Sequence, residues 1–231
     1  MQKKDRILAG ILGAAFAFLL LWPGAMDSFI SMTAASPLIM SFLKFAVLAT
    51  IGECIALRIT TGVYNRPGFG IAPKFVLWGL LGVACKLVFS IYGAGTPSLL
   101  RELGFALSPD RAAWGFGHSF LAAFSISVLL NTLFAPILMV GHKIGDIHIE
   151  RTGGTLAGFF SRPDMAALFN AVNWDSMWSF VLKKTVPMFW IPAHTITFLL
   201  PAHFQVLFAA VLSIALGVIL AFAGLRAKKA A

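Results

Sequence analysis

Charge is scarce in this chain: Asp, Glu, Lys and Arg make up 12% of its 231 residues, while 59% are hydrophobic. That shortage excludes an ordinary soluble domain, in which about a quarter of the residues are charged. Acid is scarcer than base, with nine Asp and Glu against 18 Lys and Arg, a net charge of +9. No aromatic-basic strand pattern accompanies the excess, so topology and anionic lipid headgroups account for it without nucleic acid. Cysteine is limited to Cys54 and Cys85. They are expected in different halves of a bilayer, which argues against a disulfide and leaves both as buried small residues. No nucleophile, base and orienting group can be assembled from the pattern, so no enzyme, catalytic residue or cofactor is expected.

What is present is a series of long apolar runs, at about residues 7–25, 37–57, 74–92, 112–140, 178–200 and 203–225. Each is long enough to cross a bilayer as a helix. The expected fold is all-α, a polytopic transmembrane bundle of about six spans forming a single domain over residues 1–231. Lys3, Lys4, Arg6, Arg58, Arg66, Lys74, Lys143, Arg151, Arg162, Lys183, Lys184, Arg226, Lys228 and Lys229 then fall on one side, with Arg101 and Arg111 opposite. Basic residues are retained in the cytoplasm, so both termini are expected there. The first run follows a basic start but is expected to be retained and not cleaved as a signal peptide. No Arg- and Ser-rich presequence precedes it, which favours a bacterial cytoplasmic (inner) membrane, or an organellar membrane if the source is eukaryotic.

The longest connection, residues 141–177, is expected as a cytoplasmic loop. His142, Asp146, His148 and Glu150 within it are metal-competent, but their spacing fits no closed or catalytic zinc pattern, so the reading is a solvated interfacial loop without metal. Ser161 can cap a short helix opening near Pro163 and Asp164, whose Met165, Leu168, Phe169 and Val172 form an apolar face for the membrane interface.

Ionisable groups inside the spans carry the functional signal. Lys44 and Lys86 are both placed roughly 9–10 Å below the outer face at helical rise. His118 and His194 fall near that level, and no acid does. Such a cluster would form an outward-facing vestibule that attracts a small anionic solute. The alternative is that both lysines snorkel to the outer headgroups. Glu53 lies half a turn round the helix from Lys44, so it is a buried acid and not a partner of that lysine. In the fifth run, Pro187, Trp190, His194, Thr197 and Pro201 follow helical spacing along one face. Pro187 and Pro192 lack an N–H, so the helix must bend or be supported there. A kinked helix whose His194 bonds a neighbour's backbone is the plain alternative. Gln205, Ala209, Ser213, Gly217 and Ala221, and Ser119, Ala123, Ser127 and Asn131, form close-contact ridges that report on packing alone.

The order Trp190, Pro192, Phe198, Pro201 and Gln205, with Asn173 and Trp174 upstream, resembles the C-terminal signature of the Mpv17/PMP22 peroxisomal and mitochondrial membrane proteins. Pro37, Thr50 and the Gly52-Glu53 pair resemble that family's proline-led second helix. The chain departs from the pattern at Gln205, where Arg is common, and at Leu57, where Gln is usual. The third run lacks the Gly-Pro and Trp-Tyr elements, and the fourth lacks the Asp-Gln pair. The resemblance implies a distant, bacterial branch of small membrane proteins without known catalysis, whose relatives are discussed as channels or metabolite pores. It points to a weakly selective channel or facilitator for small anionic solutes, lined by Lys44, Lys86, His118, Trp190, His194 and Thr197. The alternative is a non-transporting scaffold or lipid-interacting protein. Membrane lipids are the expected partners, and a homo-oligomer is left open.

Overall fold

The computed structural model describes residues 3–230, excepting the side chains of 223, 224 and 226–230. The inner charges assigned to Arg226, Lys228 and Lys229 therefore lie outside the described side chains. Among the described residues every regular element is helical. The chain divides into two compact units, Met1–Met40 and Ser41–Ala231.

In the first unit, α1 (Lys3–Leu21) and α2 (Ala25–Ala35) meet at a bend of 92°. Pro23 cannot donate a backbone hydrogen bond, and Gly24 sits at φ +76°, where a Cβ would be strained. The helix expected over 7–25 therefore stops at Leu21. Only α1 and α2 taken together have the length and apolarity of a span.

Four further helices can cross a membrane by length and composition: α3 (Pro37–Thr61), α4 (Ile71–Glu102), α5 (Phe116–Leu133) and the Ala202–Phe222 portion of α11 (Ala202–Ala230). Their outward positions remain apolar: Leu43, Val47, Leu80, Leu87, Ile91, Phe120, Phe124, Val211 and Ile219 are all exposed. Contiguous exposed apolar surface suits lipid as the solvent. Inside, glycines let the helices close up. A Cβ at Gly82 of α4 would stand 2.6 Å from the Ser41 carbonyl oxygen and from Phe45 Cβ, and one at Gly79 would overlap the Phe42 ring. On the other side of α3, a Cβ at Gly52 would come within 3.0 Å of Ile214 in α11. Phe45, Cys85, Phe89, Leu130, Val206, Ala209 and Ala210 form the core at this junction.

Two expectations on element boundaries are corrected. The run 112–140 is broken at Phe134, and α6 (Ala135–Arg151) continues where a loop was expected. Pro136 stands in its first turn, where the missing N–H costs nothing. Residues 141–151 are thus helical, which puts His142 and Asp146 one turn apart on one face. Beyond α7 (Leu156–Phe159), the short apolar helix appears as α8 (Met165–Ala171), with Leu168 buried. Its cap is Asp164, which accepts from the Ala167 N–H at 3.0 Å, while Ser161 donates backwards to the Gly158 carbonyl.

The proline segment also differs. After the single turn α9 (Trp174–Ser176), Met177–Trp190 form a π-helix, followed by α10 (Ile191–Leu199). The Ile191 N–H reaches the Val186 carbonyl, five residues back. A wider turn shifts side-chain positions relative to α-helical spacing, so Pro187 is exposed while Trp190 and His194 turn inward.

Candidate functional site

A cavity of about 350 Å³ lies within the second unit, between α3, α4, α5, α6, the π-helix, α10 and α11. On α11 it runs from Ala209 to Leu220, about 16 Å at helical rise. Its walls are mainly apolar, and each end carries a distinct polar group.

At one end, three helices bring four ionisable side chains together. Gly145 of α6 presses against Leu77 of α4 so closely that a Cβ would stand 2.7 Å from it, and this approach delivers His142 and Asp146 to Lys74 and Glu53. The Lys74 ammonium lies 2.5 Å from Glu53 Oε2 and also bonds Asp146 Oδ1. Trp78 Nε1 donates to Glu53 Oε1 at 2.6 Å. His142 Nε2 stands 3.2 Å from the same oxygen and 3.5 Å from Asp146 Oδ2, its ring tilted at 38° to that of Trp78 with centroids 4.2 Å apart. Burial alone would lower the His142 pKa, but the carboxylates of Asp146 and Glu53 outweigh burial and the repulsion of Lys74, and raise it. Donor atoms of Glu53, His142 and Asp146 fall within 4.8 Å of one another, a metal-compatible spacing. The Lys74 ammonium, however, bonds both carboxylates and already supplies the cation they require.

At the other end, α5 meets α10. Ser127 Oγ donates to the Ile191 carbonyl at 2.7 Å, just before Pro192. Asn131 donates to the Ser127 carbonyl at 2.8 Å and pairs with His194 Nδ1 at 3.0–3.1 Å. His194 is 7% exposed, and its ring meets Phe89 edge-on at 5.6 Å and Trp190 at 5.1 Å. The Trp190 Nε1 is buried and has no hydrogen-bond partner.

Of the residues expected to line a path, Trp190 and His194 line the cavity, while Lys44, Lys86, His118 and Thr197 do not; Glu53, expected only as a buried acid, lines it as well. Phe45, adjacent to Lys44, and Phe89, one turn from Lys86, close the cavity with Leu130 and Ala209, and so separate it from the lysines. Lys44 is buried and approaches the His203 carbonyl at 3.5 Å. His118 is exposed in the first turn of α5, away from His194. Thr197 is fully buried and donates back to the Ala193 carbonyl. Pro192 is exposed like Pro187.

The ion cluster is the feature that sequence reasoning missed. Its signal was the four-residue spacing of His142 and Asp146 immediately after an apolar run, which becomes informative once the helix is extended past residue 140.

The fold and its lipid-compatible surface define the class, an all-helical integral membrane protein with four, or with the bent pair five, candidate membrane-crossing helices. No family model, curated protein or solved structure matches the chain.

Proposed function

We propose that this protein is a weakly selective facilitator that passes small anionic solutes across the membrane through the cavity of the second unit. The observation that carries the reading is a cavity lined by Glu53, His142 and Asp146 of the ion cluster and by the rings of Phe45 and Phe89. A narrow apolar barrier of this kind can block passage by excluding water and open with small side-chain movements. Lys44 and Lys86 stand beyond it and attract anions to that side. In this reading the π-helix and α10 together form a fifth crossing, the α1–α2 pair supplies the first, and the six crossings leave both termini on the basic, cytoplasmic side of a bacterial inner membrane. The proline-tryptophan pattern of residues 190–205 supports a distant place in the Mpv17/PMP22 family.

Reconstituted protein should release a trapped small anion from liposomes faster than empty liposomes do. Lys44→Met and Lys86→Met should each reduce the preference for anions over cations, and Phe45→Ala should raise the rate. Flux equal to that of empty liposomes at every potential and pH removes the proposal.

The mainly apolar lining favours a second reading, a lipid-interacting protein that transports nothing. In that case a lipid would remain bound in stoichiometric amount through purification, and no solute would cross.

A further inference from the structure

The side of the π-helix turned away from the cavity carries a pair of charges that the cavity does not use. Residues five apart are joined by backbone hydrogen bonds in a π-helix, so Trp178, Lys183 and Met188 follow one another along one side. In an α-helix, at about 100° per residue, the same positions would diverge by about 140° at each step. Burial follows the wider register. Met177, Thr185 and Val186 are buried, while Trp178, Lys183, Lys184 and Met188 are exposed. Among the described residues neither lysine has a hydrogen bond or an ion pair.

The surroundings define what these charges meet. Trp178 is 66% exposed and Met188 79%, and Ile196 and Leu199 on α10 extend the exposed apolar surface. A surface of this kind faces hydrocarbon. Trp178 stands one π-turn before Lys183, at the end of the segment where the exposed Trp174 also lies, and tryptophan collects at the level of lipid headgroups. Lysine stems can lie along apolar surface from that level while their ammonium groups reach the lipid phosphates. No acid competes for them. Asp175, the nearest in sequence, pairs with neither lysine. Of the helices packed against the segment, α5 and α10 carry no acid, and Asp146 and Glu150 of α6 are held by Lys74 and Arg66. Two adjacent ammonium groups offer several donors and no acceptor, and the exposed indole N–H of Trp178 adds one more, a set that matches phosphate oxygens.

We infer that the exposed stripe of Trp178, Lys183, Lys184 and Met188 binds an anionic phospholipid, its headgroup phosphate on the two lysines and its acyl chains along Met188 and α10. The site lies on the surface of the bundle, apart from the cavity. It goes beyond the solute path and stands whether or not a solute crosses.

The test uses full-length protein in phosphatidylcholine nanodiscs containing a minor share of phosphatidylglycerol, with brominated acyl chains on one lipid or the other to quench tryptophan fluorescence. The chain has six tryptophans, so the Trp178 signal is taken as the difference between the wild type and Trp178→Phe. Brominated phosphatidylglycerol should quench Trp178 more strongly than brominated phosphatidylcholine at equal mole fraction. Lys183→Gln together with Lys184→Gln, both at exposed positions, should abolish that preference, each lysine contributing roughly fivefold to the relative affinity. Equal quenching by the two lipids in the wild type overturns the inference, and so does a preference that survives the double substitution. Loss of the preference on adding millimolar inorganic phosphate, which has no acyl chain, would make this a site for free phosphate and also overturn it. Absence of anion flux with the preference intact removes the facilitator reading alone. Anion flux with equal quenching removes the present inference alone.

Discussion

Lys74 holds together the ion cluster at one end of the cavity. Its side chain is 6% exposed and it is the amine shared by Glu53 and Asp146. Lys74→Met should lower stability by up to about 3 kcal/mol, because two carboxylates, each about one-fifth exposed, then lose the ammonium they share. Thermal unfolding in detergent micelles would measure it, and Lys143→Met, at the cavity mouth, should have little effect. His142 adds a pH dependence whose sign follows from its raised pKa. A group that binds its proton more tightly when folded stabilises the fold fully below its unfolded value of 6.5, and this contribution fades as pH rises through the folded value. The melting temperature should therefore fall between mildly acidic and alkaline pH, and His142→Gln should flatten that fall. Sequence reading identified Glu53 and His194 as buried polar groups because ionisable residues stand out in an apolar run. It missed the partners of Glu53 because Lys74 looks like a boundary charge and His142 and Asp146 lie beyond the apolar stretch. Burial of those three depends on three helices converging, which no single run records.

At the scale of elements, spans that are long and uniformly apolar are legible: α3 and α11 appear close to where hydropathy puts them, while α4 runs on to Glu102 and α5 stops at Leu133. The exceptions are elements in which backbone geometry departs from the apolar pattern. The α1–α2 bend needs only a Pro-Gly pair inside an otherwise spanning stretch, and the π-helix of residues 177–190 carries the same side chains as an α-helix would. At Pro187 and Pro192 the sequence implies a bend or support, and the segment takes the wider π register over Met177–Trp190. Support for this register comes partly from α5. Ser127→Ala removes the donor to the Ile191 carbonyl and should cost about 1 kcal/mol, read as a small drop in melting temperature. Hydrogen exchange should rise in α10 in the same variant, and unchanged protection there would count against the support.

For the whole molecule, the proposed arrangement of six crossings can be tested by labelling in vesicles. A membrane-impermeant maleimide should modify Lys143→Cys only from the cytoplasmic face and Arg101→Cys only from the opposite face; both native cysteines are at least partly buried. Labelling of both positions from one side would reverse the assignment. The junction of α3 and α4 has a different consequence, for how the chain can vary. Gly79 has no room for a methyl group beside Phe42, nor Gly82 beside Ser41 and Phe45. Volume gained on α4 must be surrendered on α3, so Gly79→Ala should be tolerated far better together with Phe42→Leu than alone. In descendants of this sequence, positions 42 and 79 should change as a pair, and a chain that has enlarged one while keeping the other should have moved its helices apart.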